Sequence, residues 1–314
     1  MTRWFVAGGA GFVGSHLVER LVERGTVTVY DNLSIGKPAF IAAPLASGKC
    51  ELVEGELLDL DALAKAMAGH DVVVHLAANP EARWGLENPR LDLEQGTIAT
   101  WNVLEAMRRT GTEQLVFSSS GTMYGDTGAP CAELDLGHLP ISLYGASKFA
   151  CEALISAWVE CFGLQAWIYR FGNVVGPRGT HGAALDFFKK LRDSGGVELE
   201  VLGDGRQAKP YVYVTDCVDG ILFGFDHARE RLNVHNIAPP DATSVRQIAE
   251  RCVAESPWPG AKIRYTGGER GWPGDVPQSR LAPDKLAALG WRTSRSSDEA
   301  VADAVRALAR EVFG

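Results

Sequence analysis

Short apolar runs alternate with helically spaced segments through the first half of the chain. Arg3–Ala7 is apolar and stops at glycines, Phe12–Arg24 repeats its apolar positions at helical intervals, and Thr26–Tyr30 is rich in β-branched residues. Cys50–Val53, Val72–Leu76, Gln114–Ser118 and Gln165–Phe171 are further short apolar runs. Asp61–Ala68, Asp92–Thr110 and Tyr144–Phe162 carry the period of helices. Strands that are apolar almost throughout are buried on both faces, and their alternation with helices predicts an α/β fold, a doubly wound parallel sheet. After residue 172 the pattern loosens, and Gly, Pro and Trp gather in Trp258–Pro277. Tyr211–Val214 and Leu232–Ile237 read as strands that return to the first sheet, and Asp298–Val312 as a closing amphipathic helix. The expected division is a first domain over residues 1–172, with return segments near 211–237, and a smaller C-terminal α/β lobe over residues 173–314.

Composition narrows the class. The chain has 314 residues, 46% hydrophobic and 22% charged, which is ordinary for a globular protein. Its 31 Lys and Arg against 39 Asp and Glu leave a net charge of −8, which disfavours nucleic acid as a partner. No apolar run reaches the roughly 18 residues of a membrane span. Trp4–Gly14 follows Arg3 and loosely imitates a targeting segment, but it holds four glycines, and a helical pattern continues through His16 and Glu19. It reads as a buried strand and a turn, and the expected location is cytoplasmic. The cysteines at 50, 131, 151, 161, 217 and 252 form no CxxC pair and are expected to be reduced core thiols. No metal site is expected.

The first turn carries chemistry. Gly8-Gly9-Ala10-Gly11-Phe12-Val13-Gly14 follows the first strand and opens the first helix. Glycines there let the backbone turn sharply and approach a pyrophosphate, and the helix start offers free N–H groups to the anion. The context is that of a Rossmann-type dinucleotide site. Asp31, at the end of the second strand, stands about 20 positions on, where a carboxylate takes a ribose diol. It would repel a 2′-phosphate, so the cofactor expected is NAD.

A second constellation lies further on. Tyr144 and Lys148 are four residues apart and share a helix face. An ammonium beside a phenol favours phenolate, and a positively charged nicotinamide would favour it further, giving a base for a sugar hydroxyl. Ser120 is placed to hydrogen-bond the same hydroxyl oxygen.

Ser118-Ser119-Ser120-Gly121-Thr122-Met123-Tyr124-Gly125, followed by Tyr144-Gly145-Ala146-Ser147-Lys148, joins the glycine turn, Asp31-Asn32-Leu33 and His75-Leu76-Ala77-Ala78. Together these resemble the extended short-chain dehydrogenase/reductase family, in particular its NAD-dependent epimerases and dehydratases and, among them, the UDP-glucose 4-epimerases. The resemblance covers essentially the whole chain. It implies that Tyr144 is the catalytic base, that Lys148 orients the nicotinamide ribose, and that Ser120 and Thr122 contact the sugar. It adds Gly8, Gly11, Phe12, Val13, Gly14, Asp31, Asn32, Glu56, Leu57, Ala77 and Ala78 as cofactor contacts. The implied reaction takes hydride from C4 of a nucleotide-linked hexose and returns it to the other face of the 4-keto sugar, with NAD unchanged overall. Related dehydratases place an acidic pair where this chain has Gly121 and Thr122, so water elimination is not expected.

The implied partner is a nucleotide diphosphate sugar, a UDP-hexose foremost. Arg83 in the loop after the fourth strand is a candidate for the sugar, and in relatives that act on UDP-glucuronate an arginine here would suit the carboxylate. Asn173 matches a nucleotide-sugar contact, His181 lies in a candidate pocket loop, and Lys209 and Arg270 are candidates for the diphosphate. Lys209 stands in place of an arginine, and Arg270 lies five residues before Asp275 where relatives have it three before. Glu56 replaces the usual Asp, and Gly96 replaces an asparagine that helps to order the nicotinamide region, a role left to a water or Gln95. The sequence therefore points to a UDP-glucose/UDP-galactose 4-epimerase. The alternatives are a UDP-glucuronate or other specialised 4-epimerase, a keto-sugar reductase, or a non-catalytic NAD-binding protein. A homodimer is expected through the helices around Asp92–Thr110 and Tyr144–Phe162.

Overall fold

The computed structural model describes all residues, 1–314. The chain divides into two compact units. One comprises Met1–Met123, Leu143–Arg170 and Ile221–His235, the other Tyr124–Ser142, Phe171–Gly220 and Asn236–Gly314. No helix is long and apolar enough to cross a membrane.

The first unit is built on β1 (Thr2–Ala7), α1 (Phe12–Leu21), β2 (Gly25–Asp31), β3 (Cys50–Glu54), β4 (Val72–His75), α2 (Ala99–Thr110), β5 (Gln114–Ser120), α3 (Leu143–Phe162), β6 (Gln165–Phe171) and β7 (Leu232–Ile237). The seven strands form one sheet in the order β7-β6-β5-β4-β1-β2-β3. β1 runs parallel to both β2 and β4, with Val6 opposite Val29 on one side and Val74 on the other. The winding direction reverses between β1 and β4, the place where open α/β sheets bind ligands at their strand ends. The strands are buried because Phe5, Tyr30, Val73, Leu115 and Phe117 pack against Val103, Leu104 and Met107 of α2 and Cys151, Ile155 and Val159 of α3. On α3 those positions recur every four residues and leave Cys161 off the apolar face, so this thiol is exposed rather than in the core.

The second unit has only short strand pairs. Tyr211–Tyr213 does not return to the large sheet; it pairs with Asn173–Val175. Pro210 has no N–H to donate before it, and Val214 already opens a helix, so the segment is too short to join a long ladder. Lys262–Tyr265 pairs with Glu198–Val201. Helices Ala183–Asp193, Val245–Glu255 and Ser297–Phe313 enclose a separate core containing Phe188, Leu199, Ile248, Cys252 and Val305.

The helix expected over Asp92–Thr110 has two windings. Leu93–Ile98 is a π-helical turn, and the Ala99 N–H donates to the Glu94 carbonyl five residues back, before α2 continues in the ordinary form. Gly96 lies buried in this turn, where a Cβ would stand 1.9 Å from Ser147 Oγ and 3.2 Å from Ser147 Cβ. Ser147 of α3 therefore fills the space that an asparagine side chain would need. A buried ion pair braces α3 against the sheet. Arg170 of β6 donates through Nη2 to Glu152 Oε2 at 2.6 Å and through Nε to Oε1 at 2.9 Å, and Ser119 Oγ donates to the same Oε1 at 2.5 Å.

Arg170→Met leaves the Glu152 carboxylate buried without its counter-charge. The expected cost is about 3–5 kcal/mol, read from urea unfolding; stability equal to the parent would contradict the bracing role. Gly96→Asn is expected to cost about 1–3 kcal/mol by overpacking. Adding Ser147→Ala, which removes the hydroxyl it strikes, should recover part of that loss, whereas an unchanged urea midpoint in Gly96→Asn alone would refute the packing argument.

Candidate active site

The glycine turn and the loop after β4 meet at the point where the winding reverses. Gly8 has φ +82°, and a Cβ on it would stand 2.6 Å from Ala77 N, so only glycine lets the two turns touch. A Cβ on Gly14 would stand 2.2 Å from Gly8 O. The start of α1 is capped by no side chain, and its first turn holds no acidic residue. Its N–H groups and the positive end of its dipole are thus left for an anion. Gly11, Val13, Ala77 and Ala78 are partly open, while Phe12 is buried and supports the turn.

Asp31 ties this turn to the end of β2. Its Oδ2 accepts from Ala10 N at 3.0 Å, and its Oδ1 accepts from Leu33 N at 2.9 Å. Burial pushes this carboxyl up, and the two backbone donors pull it back. Asn32 donates through Nδ2 to Glu56 Oε1 at 2.9 Å, so two of the expected adenosine-side residues stand together. Leu57 is buried beside them, its carbonyl accepting from Asn102. A cradle that Cβ atoms would fill, an uncapped helix start and a ribose-directed carboxylate fit a dinucleotide.

α3 brings the second constellation together. Lys148 is buried, donates through Nζ to Ser118 O at 2.7 Å, and lies 4.7 Å above the Phe117 ring centroid. The Tyr144 ring centroid is 5.8 Å from Nζ. Burial pulls the Lys148 ammonium down to about 8, against the opposing influence of Cys151, Glu152 and Asp92. Burial also pushes the Tyr144 phenol well above its ordinary range; Asp92 and Cys151 add to this, and a hydrogen bond with Ser120 works against it. Ser120 Oγ also accepts from the Thr122 hydroxyl at 3.0 Å and from Thr122 N at 3.2 Å. Ser120, Thr122, Tyr144 and Lys148 thus form one cluster in the first unit. His75 is fully buried beneath it, pairs through Nε2 with Thr100 Oγ1 at 3.1 Å, and is pulled down to about 3 by burial and by Lys148. It is a neutral imidazole at working pH.

The candidate substrate residues have carboxylate or local partners. Arg83 donates through Nε and Nη2 to the two oxygens of Glu81, at 2.9 and 2.7 Å. In the second unit, Lys209 Nζ donates to Asp275 Oδ1 at 2.5 Å and Arg270 Nη2 to Asp126 Oδ2 at 2.9 Å. Asn173 is exposed and hydrogen-bonds Tyr211, and the exposed His181 lies within 3.2 Å of Thr180 Oγ1 through Nδ1. Sequence reasoning passed over Asp92, Ser147 and the Glu152–Arg170 pair. Asp92, Gly96 and Thr100 recur every four residues, a polar and small-residue stripe that is the available signal.

Known proteins are similar to this chain in sequence and fold. The model of the NAD dependent epimerase/dehydratase family matches residues 4–238. A crystal structure of a UDP-galactose 4-epimerase is 38% identical, with a TM-score of 0.87, covering 99% of this chain and 100% of that one. The UDP-glucose 4-epimerase of Yersinia pestis is 30% identical over 95% of each chain. The structure of MoeE5 in complex with UDP-glucuronic acid and NAD is 27% identical, with a TM-score of 0.84, covering 98% of this chain and 99% of that one. The chain therefore belongs to the NAD-dependent nucleotide-sugar epimerase/dehydratase family, with NAD as its cofactor.

Proposed function

We propose that this protein is a UDP-glucose/UDP-galactose 4-epimerase. The observation that carries the reading is the Ser120–Tyr144–Lys148 cluster with no carboxyl at positions 121 and 122. NAD supplies, when bound, a hydride acceptor that becomes the donor for the return step. Tyr144 takes the proton of the C4 hydroxyl and later gives one back. Lys148, and the positive charge of the cofactor, favour the phenolate that burial and Asp92 oppose. Ser120 holds the C4 oxygen and is itself oriented by Thr122. Gly121 and Thr122 offer no carboxyl acid or base for removal of water, which supports epimerisation over dehydration.

The state of Arg83 favours a neutral hexose over a uronate. Glu81 already engages its guanidinium through two parallel bonds, the geometry a substrate carboxylate would want. A uronate would have to displace Glu81. Lys209 and Arg270 of the second unit are the cations proposed for the diphosphate, exchanging Asp275 and Asp126 for it on binding.

The reading extends to a homodimer. Leu93, Ile98 and Trp101 are exposed on the π turn and α2, and Leu143 and Phe162 on α3. A helical face this apolar suits a second copy of itself.

Incubated with UDP-galactose and no added cofactor, the purified protein is expected to give a mixture with UDP-glucose by proton NMR, and to leave UDP-glucuronate unchanged. Conversion of the uronate alone would move the assignment to the other sugar. Tyr144→Phe should lower kcat by about 10²–10⁴-fold with little change in KM; activity near the parent would remove Tyr144 from the base role. Trp101→Glu should convert the dimer to a monomer by light scattering, and an unaltered mass would place the interface elsewhere.

A further inference from the structure

Asp92 moves no proton in the mechanism above, yet it is only 2% exposed. Its Oδ1 accepts from Asn79 Nδ2 at 3.0 Å, and its Oδ2 has no hydrogen-bond partner. Gly85 makes room for that oxygen, since a Cβ there would stand 2.5 Å from it. A buried carboxylate with an idle oxygen is costly and calls for an explanation. The residue opens the π turn, whose Gly96 and Thr97 meet Ser147 of α3, the residue before Lys148 and three after Tyr144.

We propose that Asp92 is a positioning residue of the reaction centre, a fixed negative charge that sets the pH range in which Tyr144 and Lys148 hold their working protonation states. The inference rests on Tyr144 being the base. The groups that bear on this charge balance are few. Tyr144, Lys148, Cys151 and Glu152 come from α3, and the neutral His75 comes from β4. Asn79 comes from the loop after β4, where Glu81 and Arg83 neutralise one another.

The direction of its influence follows from its charge. A negative charge beside the phenol opposes phenolate, and beside the ammonium it opposes loss of the proton. Burial pushes the Asp92 carboxyl up from its ordinary range, and the hydrogen bond from Asn79 and the charge of Lys148 work against that rise. Asp92 thereby holds Lys148 cationic to higher pH and keeps the phenol of Tyr144 protonated until a positive cofactor is in place.

The test is a tyrosinate absorbance titration of the NAD-loaded protein and of Asp92→Asn, each corrected by the same chain carrying Tyr144→Phe. The Tyr144 midpoint is expected to fall by about one pH unit in Asp92→Asn. The acid and alkaline limbs of the kcat profile should both move to lower pH, with KM little changed. Coincident midpoints, or a higher one in the variant, would overturn the inference. Should Asp92→Asn fail to fold, Asp92→Ser serves instead. It also removes the charge, with a smaller polar side chain, and should lower the midpoint likewise; no movement again refutes the role. The titration needs no sugar, so absence of turnover, which would sink the epimerase reading, is distinguishable from absence of a shift.

Discussion

The organisation of the site depends on one burial, that of the Lys148 ammonium. A cation removed from water must be compensated or it gives up its proton. The compensation is spare: the carbonyl of Ser118 at 2.7 Å and the face of the Phe117 ring. Both belong to β5, so satisfying the lysine fixes α3 on the sheet at a single register and rotation. Tyr144, one turn earlier on the same face, is placed by that constraint, and Ser120 meets it from the end of the strand that holds the lysine.

The neighbouring charges follow from the same need. Glu152, four residues after Lys148, is taken up by Arg170 and Ser119 and so braces α3 from beneath. His75, fully buried and also beside the lysine's charge, stays neutral. Asp92 contributes negative charge from the opposite helix. The glycine turn adds a complementary anion site at the start of α1. A cofactor with a negative pyrophosphate and a positive nicotinamide matches a protein that offers bare N–H groups at one end and a partly countered phenol–ammonium pair at the other.

Much of this was legible in the amino-acid sequence because it depends on local rules. The parallel sheet follows from apolar runs with helices between them, the anion site from glycines where strand turns to helix, and the Tyr144–Lys148 pair from four-residue spacing. What the sequence hid depends on which helix faces which. Gly96 reads as the loss of a side chain; in the fold it is a space taken by Ser147, from a helix far along the chain. Arg83 reads as a candidate for the sugar, but Glu81, two residues earlier, folds back on its guanidinium. Tyr211–Tyr213 has the composition of a core strand, and Pro210 with the helix at Val214 denies it the length to join the sheet. Each is a matter of tertiary packing or of a partner chosen in space, which periodicity along the chain does not encode.

The central claim is that the sugar is oxidised and reduced again at one carbon within one bound complex, with Tyr144 moving only the proton. UDP-galactose carrying deuterium at C4 tests it most directly. Mass spectrometry and NMR of the product in ordinary water should find the label still at C4, because the hydrogen that leaves is the one that returns. Loss of the label to solvent would mean that the C4 hydrogen departs as a proton, and neither hydride transfer to NAD nor the proton-carrying role of Tyr144 beside Lys148 would survive that result.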